Sequence, residues 1–149
     1  TRVSTHIAHL GVLVGSLDPA MKFYGDILGF QEFWRGGSSS DVLSWVNMRV
    51  PDGKDYLEFM LYSAQPDAAQ IGVKNHICLI TPDIKAAVAI LESRPSRKSY
   101  PRAIEIKVGR NGKRQANLFD PDGTRIELME PTTVDGKPVP SSKAPPPVR

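Results

Sequence analysis

The sequence predicts an α+β fold built from two tandem β-α-β-β-β modules. Three observations carry that expectation. Short runs rich in β-branched and aromatic residues, bounded by turn-forming clusters, read as strands. Two longer stretches place apolar residues at helical spacing. The order of these elements then occurs twice, with matched residues at matched places.

In the first half, HIAHLGVLV at residues 6–14 is apolar-rich, alternates, and reads as a strand. SLDPAMKFYGDILGF follows. Asp18 can cap a helix that has Pro19 at its first position. Ala20, Phe23, Tyr24 and Ile27 recur at helical spacing, and Gly29 stops the helix. FQEFWRG and VLSWVNMRV read as two strands, PDGK as a turn, and DYLEFMLY as the next strand. This first module is expected over residues 1–62. A polar linker, residues 63–75, separates it from the second.

The second module is expected over residues 76–131. HICLIT is a strand, and DIKAAVAILESR is a helix capped near Thr81 to Asp83. SRPSRKSYPR is a loop. AIEIKVG is a strand, RNGK a hairpin turn, RQANLFD a strand, PDGT a turn and RIELME the last strand. Residues 132–149 are Pro- and Ser-rich with few apolar side chains, and are expected to form a flexible tail.

The two halves superimpose residue by residue. His9 and His76 are 67 positions apart, and Glu58 and Glu127 are 69 apart. Between them Val12 matches Leu79, Ala20 matches Ala87, and YLEFM matches RIELM. Each half thus opens its first strand with a histidine and sets a glutamate in its last. Side chains alternate along a strand, so Leu57, Phe59 and Leu61 form one face and Glu58 takes the other, with Tyr56, Met60 and Tyr62. His9 likewise lies opposite Leu10 and Val12, His76 opposite Ile77 and Leu79, and Glu127 opposite Ile126 and Leu128.

An unpaired carboxylate among apolar strand residues is expensive. Two imidazoles and two carboxylates at repeated positions suit a divalent transition metal, which offsets that expense. His9, Glu58, His76 and Glu127 are therefore the candidate ligands. Trp45, Asn47, Tyr56, Met60 and Tyr62 are candidates to line the substrate pocket beside them. His6 has Val73 in the matching place and is expected at the surface.

The net charge of +3 is concentrated at Arg94, Arg97, Lys98 and Arg102 and at Lys107, Arg110, Lys113 and Arg114. No aromatic interleaving or nucleic-acid motif accompanies these residues, so they read as solvated loop charge rather than a nucleic-acid surface. No apolar run is long enough to span a bilayer. Cys78 is the single cysteine, which is compatible with a cytoplasmic location.

The motifs HLGVLVGSLDPAMKFYGDILGF and NLFDPDGTRIELMEP, on paired β-α-β-β-β modules, resemble the vicinal oxygen chelate superfamily. That superfamily includes glyoxalase I, extradiol dioxygenases, and fosfomycin and bleomycin resistance proteins. The resemblance covers residues 6–131. It implies an open, cupped mixed β-barrel with helices outside, and His9, Glu58, His76 and Glu127 fall on the four metal positions of glyoxalase I. It implies a divalent ion (Ni, Zn, Co, Mn or Fe), a small-molecule substrate and a homodimer. The activity implied is a glyoxalase I-like lyase or isomerase acting on a small substrate with two vicinal oxygens through an enediolate. Glu127 and Glu58 would move the proton. Lactoylglutathione lyase is the nearest named activity. Family members that hold glutathione carry Arg and Asn where this chain has Leu13 and Tyr62. The alternatives are a non-haem iron dioxygenase of the same superfamily and a non-catalytic, resistance-type binding protein. Against ring cleavage, no histidine follows His76, and Asn117 stands where those dioxygenases have tyrosine.

Overall fold

The structure, a computed structural model, describes residues 2–27, 29–119 and 125–148. The PDGT turn and Asp120 lie outside the described residues. The chain order is β1 (His6–Leu13), α1 (Leu17–Met21), β2 (Gln31–Gly36), β3 (Trp45–Arg49), β4 (Tyr56–Met60), β5 (Lys74–Ile80), α2 (Ile84–Ser93), β6 (Lys107–Val108), β7 (Lys113–Phe119) and β8 (Arg125–Thr133). This is β-α-β-β-β twice, as the repeat predicts. The chain divides into two compact units. The first is His9–His76 with Pro140–Arg149, and the second is Thr1–Ala8 with Ile77–Val139. β1 and β5 thus each contribute residues to both.

In the first unit the strand order is β2-β3-β4-β1. β1 runs parallel to β4, and β2-β3 and β3-β4 are antiparallel. The core is Val14, Leu17, Leu43, Val46, Met48, Phe59 and Leu61, with Ala20, Met21, Tyr24, Phe30 and Leu57 packed on it. The expected alternation on β4 is present: Phe59 and Leu61 are buried in that core. On β1 the expected parity is also present, and the face that carries His9 is the buried one. Leu10 is exposed, whereas His9, Gly11 and Leu13 are buried. Only Val14, past the end of the strand, reaches the helix-covered core.

The first helix also differs from its sequence pattern. It starts at Leu17, with Ser16 rather than Asp18 at the N-cap position, and changes to a π-helical turn over Lys22–Ile27. The wider turn rotates the apolar stripe. Tyr24 stays on the core, but Phe23 and Ile27 face solvent. Gly29 ends the turn at φ 77°, the left-handed conformation the sequence requires there.

Residues 140–148 lie extended along this same unit. The Ser142 N–H donates to the Arg35 carbonyl at 2.9 Å, and the Leu43 N–H donates to the Pro145 carbonyl at 3.0 Å. Ala144 packs on the core. The segment expected to be a flexible tail is therefore docked. Its prolines bring few N–H groups that need partners, which suits an extended path beside an existing sheet.

In the second unit the order is β5-β8-β7-β6, with β6-β7 and β7-β8 antiparallel. α2 is capped by Asp83, whose side chain accepts from Ala86 N at 3.0 Å. Ile84 of α2 packs with Ala116 and Leu128, joined by Leu79, Val88, Leu91 and Leu118. β6 is much shorter than the expected 103–109, although Ile104 still packs on that core. The expected loop at 93–102 contains a 3₁₀ turn, Pro95–Ser99.

Candidate metal centre

The first unit brings three of the four sequence-predicted ligands together. β1 sets His9 beside Tyr56 and Gly11 beside Glu58 of β4. β3 sets Asn47 opposite Glu58, and Trp45 opposite Met60. Residues paired across neighbouring strands share a face, so these side chains project to one side of the sheet. His9 and His76 are buried there, at 3% and 0% exposure.

The His9 and His76 Nε2 atoms are 2.7 Å apart. Glu58 Oε1 lies 3.8 Å from the first and 3.6 Å from the second. Three atoms with those separations lie on a circle of about 2.0 Å radius, so a single point is about 2.0 Å from all three. That is the length of a Zn–N or Zn–O bond. His, His and carboxylate is a donor set that such an ion accepts, so the residues fit a divalent transition metal.

The far nitrogens of the two rings are held as metal-ligating histidines require. His76 Nδ1 is 3.1 Å from Asn75 Oδ1, and Asn75 Nδ2 donates to the Tyr62 hydroxyl at 2.7 Å. An amide oxygen only accepts, so the tautomer with its proton on Nδ1 suits this contact and would leave Nε2 to act as a ligand. His9 Nδ1 is 2.8 Å from the Tyr56 hydroxyl, which can donate or accept and so serves either tautomer. Two ring nitrogens 2.7 Å apart need a proton or a cation between them.

Room for this arrangement comes from Gly11. A Cβ on that residue would sit 2.1 Å from His76 Nδ1. A glycine inside a strand marks such close approaches, so the signal was present in the sequence although the expectation did not use it. Tyr56 and Asn75 hold the imidazoles, roles that residue type and strand parity alone do not reveal. Trp34 pairs with Asn47 across β2 and β3, and its ring lies where a Cβ on Gly36 would be.

Of the expected pocket residues, Trp45, Asn47, Tyr56 and Met60 share the face of Glu58. Tyr62 lies beyond the end of β4, is 41% exposed, and its hydroxyl accepts from Asn75 Nδ2. His6 is exposed, as expected. Glu127 belongs to the second unit. It is buried on β8, opposite Asn117 of β7. In that unit burial pushes the Lys113 amine below its ordinary range, while Cys78 and Glu127 pull it the other way.

Residues 6–128 match the family model described as the Glyoxalase/Bleomycin resistance protein/Dioxygenase superfamily. The chain belongs to this superfamily. Solved structures with the same fold include methylmalonyl-CoA epimerase from Mycobacterium tuberculosis, 21% identical with a TM-score of 0.67, covering 89% of this chain and 91% of that one. A variant of the Streptomyces coelicolor methylmalonyl-CoA epimerase, in complex with 2-nitronate-propionyl-CoA, is 22% identical with a TM-score of 0.66, covering 90% and 98%. In sequence the chain is 25% identical over 130 residues to YwbC of Bacillus subtilis (strain 168), described as an uncharacterized protein, covering 86% of this chain and 99% of that one.

Proposed function

We propose that this superfamily member is a metal-dependent lyase or isomerase of the glyoxalase I kind, acting on a small substrate with two vicinal oxygens through an enediolate. The observation that carries the reading is the common point about 2.0 Å from His9 Nε2, His76 Nε2 and Glu58 Oε1. His9, Glu58, His76 and Glu127 are the ligands of this reading. A divalent ion bound there supplies Lewis acidity to two neighbouring oxygens. The chain's own residues do the rest. Tyr56 and Asn75 orient the imidazoles. Glu127 or Glu58 moves a proton between adjacent carbons, and a carboxylate in a partly enclosed site is a stronger base than a solvated one. The epimerase relatives support a proton-moving reaction, since an epimerase inverts a stereocentre. Leu13 and Tyr62, in the places expected to hold glutathione, favour a substrate without it. The same reading takes the protein as a cytoplasmic homodimer.

The test is deuterium exchange from D2O into a panel of small α-hydroxycarbonyl compounds, with methylmalonyl-CoA and the glutathione hemithioacetal of methylglyoxal alongside. Metal-loaded protein should exchange the proton next to the carbonyl of at least one compound. Glu127→Gln should abolish that exchange with an unchanged circular dichroism spectrum. Exchange at the original rate in Glu127→Gln would contradict the mechanism. Oxygen consumption with Fe(II), without exchange, would move the assignment to the dioxygenases.

A further inference from the structure

Across from Glu58 sits a polar group with an atom that has no hydrogen-bond partner among the described residues. Asn47 is 7% exposed, and among the described residues its buried Oδ1 has no hydrogen-bond partner. Leaving a buried acceptor unpaired is costly, so such a group in a native site calls for an explanation. Its position supplies one. Asn47 is the cross-strand partner of Glu58, so the carboxamide projects on the same side of the sheet as the carboxylate. The second unit contains the same device. Asn117 stands opposite Glu127, and its Oδ1 is likewise buried without a partner among the described residues. An asparagine set against each of the duplicated glutamates, with the same atom unsatisfied in each, is not accounted for by packing.

We infer that Asn47 is a specificity-determining residue whose Oδ1 accepts a hydrogen bond from a hydroxyl of the bound molecule. The ligand class is therefore an α-hydroxy carbonyl or α-hydroxy acid rather than a dicarbonyl or dicarboxylate. This rests on the metal site proposed above. A chelated hydroxyl keeps a proton to donate, whereas two carbonyl or carboxylate oxygens offer Asn47 only a second acceptor, and two acceptors facing each other repel. A site built to hydrogen-bond a hydroxyl rejects the analogue that lacks it, because its own polar group is then left unpaired.

Glycolate and oxalate separate these cases, since both present vicinal oxygens and only glycolate carries a donor. Titrating each into Co(II)-loaded protein, followed by the cobalt visible spectrum, gives a ratio of two affinities in which changes in metal affinity cancel. Asn47→Leu should keep cobalt binding and lower the glycolate-to-oxalate preference about tenfold. Asn47→Asp, which retains an acceptor, should keep the preference for glycolate. A ratio unmoved by Asn47→Leu overturns the proposal, as does selective weakening of oxalate, because the carboxamide would then be donating. A wild-type chain that takes up no cobalt overturns the metal reading itself, and so distinguishes its failure from that of Asn47.

Discussion

At the scale of single residues, the site is set by what holds the far nitrogen of each imidazole. His76 Nδ1 is committed to Asn75 Oδ1, and His9 Nδ1 to the Tyr56 hydroxyl. Both Nε2 atoms lie, with Glu58 Oε1, at about 2.0 Å from one common point. Partners of this kind raise ligand basicity and hold ring orientation. Tyr56→Phe should therefore weaken metal affinity by about ten- to a hundredfold while leaving the three proposed ligands in place. Competition with a chromophoric chelator measures this, and an affinity equal to wild type would show that Tyr56 serves only as packing against His9 and Phe33.

At the scale of elements, β1 owes its geometry to what it lacks. Gly11 leaves the space that the His76 ring fills, so Gly11→Ala forces either the ring or the strand to move. The expected result is loss of metal binding together with about 1–3 kcal/mol of stability, read by chelator competition and by urea unfolding. A variant that binds metal as tightly as wild type would contradict the packing described here. Elements were the most legible part of the sequence. Strand parity correctly separated Phe59 and Leu61 from Glu58, and Asp83 announced the start of α2. Parity says which residues share a face but not which face is buried: on β1 the face of His9 is buried and Leu10 is exposed. Helical spacing assumes a constant turn, and the π-helical turn at Lys22–Ile27 breaks that assumption, exposing Phe23 and Ile27. The hydrogen bonds from Tyr56 and Asn75 depend on tertiary placement, which periodicity does not contain.

At the scale of the whole chain, the duplicated sequence yields a duplicated order of elements, and with it the superfamily. The repeat also explains why glutamates occur at Glu58 and Glu127 among apolar strand residues, each with an asparagine opposite. The proposed divalent metal site rests on these repeated histidine and glutamate positions. Elemental analysis of protein purified without chelator or a nickel column tests it most directly, with His76→Ala beside the wild type. About one equivalent of a divalent transition metal per chain, lost in His76→Ala, is the predicted result. Metal-free protein that takes up no Ni, Zn, Co, Mn or Fe on titration would contradict it.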